Sequence, residues 1–143
     1  MKILRKHVEC GEYNFDVAID RNIAIDVMEA FPDLCDYMFT KAKESAYKKE
    51  KKNESDMDFL MKNIREKKLH EMYKQEEELQ KCIKYAFPIM LKKAGSDLDA
   101  QKIIDYIYEN GVETEFNVGM YEFILMGFTQ REVTEPKVRF SMS

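Results

Sequence analysis

The residues able to ligate a metal ion are few in this chain. It contains two histidines and three cysteines, and only His7 and Cys10 lie at a spacing that zinc ligands use. A structural zinc site needs a second pair of ligands, but His70 and Cys82 are distant from the first pair and from each other. We therefore expect no metal site.

Residues for acid–base or nucleophilic catalysis form no constellation either. Glu66 and His70 are four residues apart, a spacing typical of a surface pair on one helix face. The sequence has no glycine-rich phosphate loop and no Gly-x-Ser-x-Gly motif. We predict a protein that is not an enzyme, with no catalytic residues and no cofactor.

Cysteine usage and hydropathy predict the compartment. Cys10, Cys35 and Cys82 are an odd number at wide spacing, which fits no disulfide framework and indicates a reducing environment. The first residues contain no long apolar stretch, so we expect no secretory signal. The longest apolar run, near residues 123–128, is far shorter than a membrane span. These features favour a cytoplasmic protein without membrane contact.

Charge is distributed unevenly along the 143 residues, whose net charge is −4. Residues 41–52 carry six lysines against two glutamates, whereas residues 97–122 carry seven carboxylates against Lys102 alone. Such polarity suits a charged partner, head-to-tail homo-oligomerisation, or two solvated faces. Nucleic-acid binding by segments 41–52 and 62–68 is disfavoured, since glutamates interrupt both segments and arginine is rare.

The elements that would position any site begin with a β-hairpin over residues 1–20. Tyr13, Phe15, Val17 and Ile19 alternate with less apolar residues, as in a half-buried strand. A weaker strand over residues 3–10 precedes it, and Gly11-Glu12 supplies the turn.

A helical body of four to five helices is predicted for residues 21–111. Asp20 or Asn22 caps the first helix, and Pro32 opens the second. A long helix runs from Ser55 or Asp56 to about Ala94, with a kink at Pro88 and a cap at Gly95. Ser96 to Asp99 resembles a capping box for a compact helix that begins at Leu98 and stops at Asn110-Gly111. The tripeptide Ala-Phe-Pro occurs at both prolines, and we expect Phe31 and Phe87 to mark where the two helical arms meet in the core.

Residues 112–143 give a mixed pattern. Residues 112–118 favour an extended segment, and residues 120–128 fit a buried helix or a strand. Val138, Phe140 and Met142 alternate with polar residues and predict a last strand, which either joins the hairpin or stays free. The predicted fold is a single domain over residues 1–143, mainly α with a small β-hairpin or sheet (α+β).

One part of the helical body has too few apolar residues to be core. In segment 44–78, Met61, Leu69, Met72 and Tyr73 form a sparse stripe among charges. Such a stripe is typical of a helix that projects into solvent or lies against a partner helix. We predict these four residues to be the partner-binding site.

The hairpin whose second strand leads into a capped helix, followed by a proline-punctuated helical body, resembles the small tail assembly chaperones of phages that infect Gram-positive bacteria. The resemblance lies mainly in residues 11–39 and around Ala86-Phe87-Pro88. It implies a non-enzymatic protein of the bacterial host cytoplasm that coats a helical tape-measure protein and recruits tail-tube subunits.

Two alternatives remain open. The acidic residues 97–122 suit a phage or mobile-element inhibitor that imitates nucleic acid and binds a host nucleic-acid enzyme. The lysine-rich segments suit a DNA-binding accessory protein. Salt distinguishes the first of these from helix docking, because ionic contacts weaken with ionic strength and apolar contacts do not.

Overall fold

The computed structural model describes residues 2–40, 69–130 and 136–142, and of residues 69–73 only the backbone. The chain divides into two compact units. The first comprises Met1–Ala30 and Leu79–Ser143, and the second comprises Phe31–Glu78. The described elements are α+β, with five helices and one three-stranded sheet.

The sheet belongs to the first unit and is built from both ends of the chain. Strands β1 (Leu4–Cys10) and β2 (Tyr13–Ile19) form the predicted antiparallel hairpin, with Gly11 at φ +57° in its turn. Strand β3 (Lys137–Phe140) pairs with β1 in parallel, which gives the order β2-β1-β3. The last strand therefore joins the hairpin.

Helix α1 (Arg21–Ala30) starts where the hairpin ends. Asp20 caps it, because Oδ1 accepts a hydrogen bond from the Ile23 amide at 2.9 Å. Ala24 and Val27 are buried, and α1 packs against helix α5 (Glu113–Thr129). The Arg21 side chain also donates from Nε to the Phe128 carbonyl at 3.0 Å.

In the second unit, residues 32–40 form helix α2, and Pro32 is its first residue, as predicted. Helix α3 (Leu69–Lys93) contributes residues 69–78 to this unit and residues 79–93 to the first. Pro88 lies inside α3. The predicted start of the long helix at Ser55 or Asp56 lies outside the described residues.

Helix α3 ends in a Schellman motif, as its glycine predicted. Gly95 has φ +84°, a conformation that costs a residue without Cβ little. Its amide donates to the Lys92 carbonyl at 3.0 Å, and the Ser96 amide donates to the Leu91 carbonyl at 3.1 Å. Helix α4 (Ala100–Glu109) ends in the same hydrogen-bond pattern at Gly111.

Two local predictions are wrong. The cap of α4 is Asp99, whose carboxylate accepts from the Gln101 and Lys102 amides, while Ser96 accepts from the Leu98 amide ahead of the helix. Leu98 is consequently exposed. Residues 112–118 are not extended, since α5 begins at Glu113 and continues through the apolar run at residues 120–128.

Aromatic rings link the sheet to the helices of the first unit. Phe87 of α3 lies 5.5 Å from Phe15 of β2 and 5.2 Å from Phe116 of α5, both edge-on, as measured between ring centroids. Phe116 in turn lies 5.7 Å from Phe140 of β3. Phe87 is fully buried, as expected for a core residue, whereas Phe31 is half-buried and belongs to the second unit.

Candidate functional site

The four predicted partner-binding residues fall at the limit of the described chain. Met61 lies outside the described residues, as do the lysine-rich segments 41–52 and 62–68. Leu69, Met72 and Tyr73 belong to the first turns of α3, where the backbone alone is described. Their positions i, i+3 and i+4 place them on neighbouring sites of one helix surface.

The rest of α3 shows which face of this helix is apolar. Lys74, Glu76 and Glu77 are exposed, whereas Gln75 and Leu79 are each only 8% exposed. The buried face then continues with a regular helical period through Cys82, Ile83, Ala86, Phe87, Met90 and Leu91. In the sequence of α3, Met72 stands three residues before Gln75 and seven before Leu79.

A second cluster of functional groups lies on the solvent face of the sheet. Strand alternation places His7, Glu9, Asp16, Lys137 and Arg139 on the face opposite the core. His7 Nδ1 is 2.7 Å from Asp16 Oδ1. Five charged or titratable side chains thus follow one another across three strands.

Glu9 is the centre of this ionic row. Its Oε1 is 2.8 Å from Lys137 Nζ, and its Oε2 accepts from Arg139 Nε at 2.9 Å. Hydrogen bonds from Lys137 and then Arg139 hold the pKa of Glu9 below its ordinary value. Sequence reasoning missed this site because Glu9 and its partners are far apart in the chain.

The ionic row contains a histidine–carboxylate pair but its neighbour Cys10 does not complete a catalytic arrangement. Cys10 lies on the opposite face of β1 from His7 and is fully buried. Burial raises the pKa of its thiol to about 12, which keeps it protonated and poorly nucleophilic. For the same reason of strand alternation, His7 and Cys10 cannot ligate one metal ion despite their spacing.

A cleft of about 420 Å³ opens at the end of the ionic row. Its volume is in the range of small-ligand sites. Polar and apolar side chains both contribute, because the hairpin turn and the residues after β3 meet there. It is lined by Glu9, Gly11, Asn14, Arg139, Phe140, Ser141 and Met142.

The acidic residues predicted from the sequence lie on α4, on α5 and in the loop before α4. Lys102 is the one basic residue of the sequence between residues 97 and 122. Six of the seven carboxylates in this segment are exposed: Asp97, Asp99, Asp105, Glu109, Glu115 and Glu122. Among the described residues, none of the six is within ion-pair distance of a basic group. The first unit therefore has a surface of uncompensated negative charge.

Within residues 2–40, 69–130 and 136–142, no group of three His, Cys, Asp or Glu side chains is arranged to hold a metal ion. No helix in this part of the chain combines the length and apolar character that crossing a membrane requires. Comparison of the chain with models of known families, with curated proteins and with solved structures gave no match.

Proposed function

We propose that this chain is a non-enzymatic phage protein that acts in the cytoplasm of the bacterial host as a tail assembly chaperone. Its partner is a tape-measure-like helix or a tail-tube subunit, which it binds through Met61, Leu69, Met72 and Tyr73. The observation that carries the proposal is the apolar face of α3. That face, buried from Leu79 to Leu91, has the same helical period as the stripe at Leu69 and Met72.

Charged residues surround the stripe. Lys74, Glu76 and Glu77 are exposed on the same stretch of α3, so charge lies beside and among the apolar positions. An amphipathic helix of this type binds another helix by burying its apolar positions, while its charged flank keeps the complex soluble. Methionine suits such a contact because its flexible thioether adapts to varied apolar surfaces.

The test replaces Leu69, Met72 and Tyr73 together by Ser and measures pull-down of a coexpressed tape-measure protein. We expect the substitution to abolish capture while the far-UV circular dichroism stays native. The control replaces Lys74 and Lys81, which are exposed on the opposite side of the same helix, by Ser and should retain capture. Unchanged capture by the first variant would refute the proposed contact.

The exposed carboxylates of the first unit favour a second candidate, an acidic inhibitor of a host nucleic-acid enzyme. Exposed negative charge with few basic residues among it attracts the surface that such an enzyme offers to phosphates. Inhibition should then weaken steeply as salt rises, and the variant with Glu109, Glu115 and Glu122 replaced by Gln should lose it. A control variant with Glu12, Asp26 and Glu29 neutralised has the same net charge, and its retained inhibition would locate the effect on α4 and α5.

A further inference from the structure

We propose that the side of β1 opposite β2 is a strand-acceptor groove through which two copies of this chain associate. Each copy places its Lys137–Phe140 strand on the β1 of the other. This surface is separate from α3 and its proposed helical partner. Three features of the way β3 is held on β1 support this association.

The first step is the backbone pairing. Strand β3 has four residues and pairs with β1 in parallel, His7 with Lys137 through Cys10 with Phe140. The His7 amide also donates to the Pro136 carbonyl at 2.7 Å. The groove thus reads an extended segment of five residues through its main chain, which is the mode of β-strand addition.

The second step is charge recognition on the solvent face. The single carboxylate of Glu9 binds Lys137 with one oxygen and Arg139 with the other. Both basic side chains are more than 60% exposed, whereas that of Glu9 is 18% exposed. Glu9 therefore selects a strand with basic residues at alternate positions, and residues 137–139 of any copy supply them.

The third step is the aromatic pocket on the core face. The ring of Phe140 packs edge-on against Phe116, with 5.7 Å between the centroids. The ring also lies beside Gly119 of α5, where a Cβ would stand 3.4 Å from Phe140 Cζ, an ordinary van der Waals distance. The groove consequently fits the pattern basic, apolar, basic, aromatic, which β3 itself provides.

These contacts run from β3 to β1 and α5, so the same segment of a second copy can make all of them. The β3 strand of the same chain has the advantage of proximity over that of a second copy. For a short tether this advantage corresponds to an effective concentration on the order of millimolar. Exchange of an identical element is a low-cost route to a symmetric dimer. The fraction of dimer should therefore increase as the protein concentration rises, or when the pairing of β3 with β1 within one chain is mismatched.

Charge reversal provides the decisive experiment on the full chain. One variant carries Glu9→Lys and a second carries Lys137→Glu with Arg139→Glu, so each is mismatched within itself. In a mixture of the two, reciprocal exchange restores both charge pairings. We expect sedimentation velocity at equal, near-millimolar concentrations to show a dimer in the mixture and monomer in each variant alone.

The control combines all three substitutions in one chain, which restores the pairing internally and should sediment as the original protein does. If the mixture sediments as the sum of its two components, the proposal is overturned. Should either charge variant lose its native circular dichroism, a disulfide test replaces it. His7→Cys and Lys137→Cys lie opposite each other in the register. Mixed near-millimolar single variants should give a covalent heterodimer on oxidation, and its absence would equally overturn the proposal.

Discussion

At the scale of single residues, Asp20 joins two parts of the first unit. Its Oδ1 accepts from the Ile23 amide at 2.9 Å, and its Oδ2 is 3.4 Å from Lys93 Nζ at the end of α3. The amide hydrogen bond, and to a smaller extent Lys93, hold the pKa of Asp20 below its ordinary value of 3.8. The ionised carboxylate is therefore the form that the folded state prefers.

This preference predicts a stability that depends on pH. Because the folded-state pKa is lowered, the contribution of Asp20 is complete above the unfolded-state value near 3.8 and is lost as the pH falls through the folded-state value. Asp20→Asn still caps α1 but does not titrate, so its free energy of unfolding should fall less steeply below pH 4 than that of the original chain. Urea denaturation at several pH values measures this.

A matched control for this prediction is Asp97→Asn. Asp97 is exposed and accepts no hydrogen bond from the described residues. Replacing Asp97 should leave the decrease in the free energy of unfolding below pH 4 unchanged. Equal slopes for the Asp20 variant and the original chain would contradict the role assigned to that carboxylate.

Gly127 of α5 lies so close to its neighbour Ile19 that no room is left for a side chain. A Cβ at this position would lie 2.8 Å from Cγ2 of Ile19 on β2, whereas a Cβ at Gly119 would meet its nearest neighbour at 3.4 Å. Both glycines lie in α5, so replacement by Ala brings a similar gain in helix propensity at each. The difference between the two substitutions isolates the clash.

We predict that Gly127→Ala is less stable than Gly119→Ala by about 1–3 kcal/mol, the usual cost of overpacking a core. Chemical denaturation of the two variants gives the difference directly. If both variants gain the same stability, the contact between α5 and β2 is looser than the structure has it.

At the scale of elements, the start of α4 has two candidate capping residues, Ser96 and Asp99, which have different roles. Asp99 accepts from the Gln101 amide at 3.0 Å and the Lys102 amide at 3.4 Å, so it satisfies two free amides of the first turn. Ser96 accepts from the Leu98 amide, which is outside the helix. One residue caps the helix, and the other closes a turn ahead of it.

Asp99→Ala should therefore lower the free energy of unfolding by about 1 kcal/mol, the typical loss for an N-cap. Ser96→Ala should cost less, because its exposed turn can be solvated by water. Thermal denaturation of the two single variants tests this order. A larger loss of stability for Ser96→Ala than for Asp99→Ala would instead identify Ser96, which the sequence pattern favours, as the cap.

At the scale of the whole molecule, the first unit is held together across long sequence distances by aromatic packing. Phe87 contacts Phe15 and Phe116, and Phe116 contacts Phe140, so the two ends of the chain and its middle share one core. Edge-on ring pairs at these distances add stability beyond the area they bury. Loss of the central ring should affect the sheet and the helices together.

Phe87→Ala should accordingly lower the free energy of unfolding by about 3–5 kcal/mol, with Phe87→Leu intermediate. Leu98→Ala, at a position 41% exposed, should cost about 0.5 kcal/mol or less. Denaturation followed by circular dichroism ranks the three variants. A small loss at Phe87 would show that the core does not depend on this ring.

The hydrophobic periodicity of the sequence predicted part of the fold. The alternation from Tyr13 to Ile19 predicted β2, and the glycine at 95 predicted the end of α3, because both signals act within a few residues. The run at residues 120–128 left helix and strand open, since a short apolar run has no decisive period. Burial on several sides of α5, by β2 and α1 among others, resolved it as a helix.

Local sequence signals therefore determined the hairpin, the glycine-capped ends of α3 and α4 and the acidic surface, since these depend on neighbouring residues and on composition. Only the tertiary structure decided that β3 lies beside β1 and that Glu9 pairs with Lys137 and Arg139. It also decided that His7 and Cys10 face opposite ways, because that required the strand itself to be formed. Contacts between distant residues follow from how complete elements pack, and no pattern within a single segment of this chain contains that information.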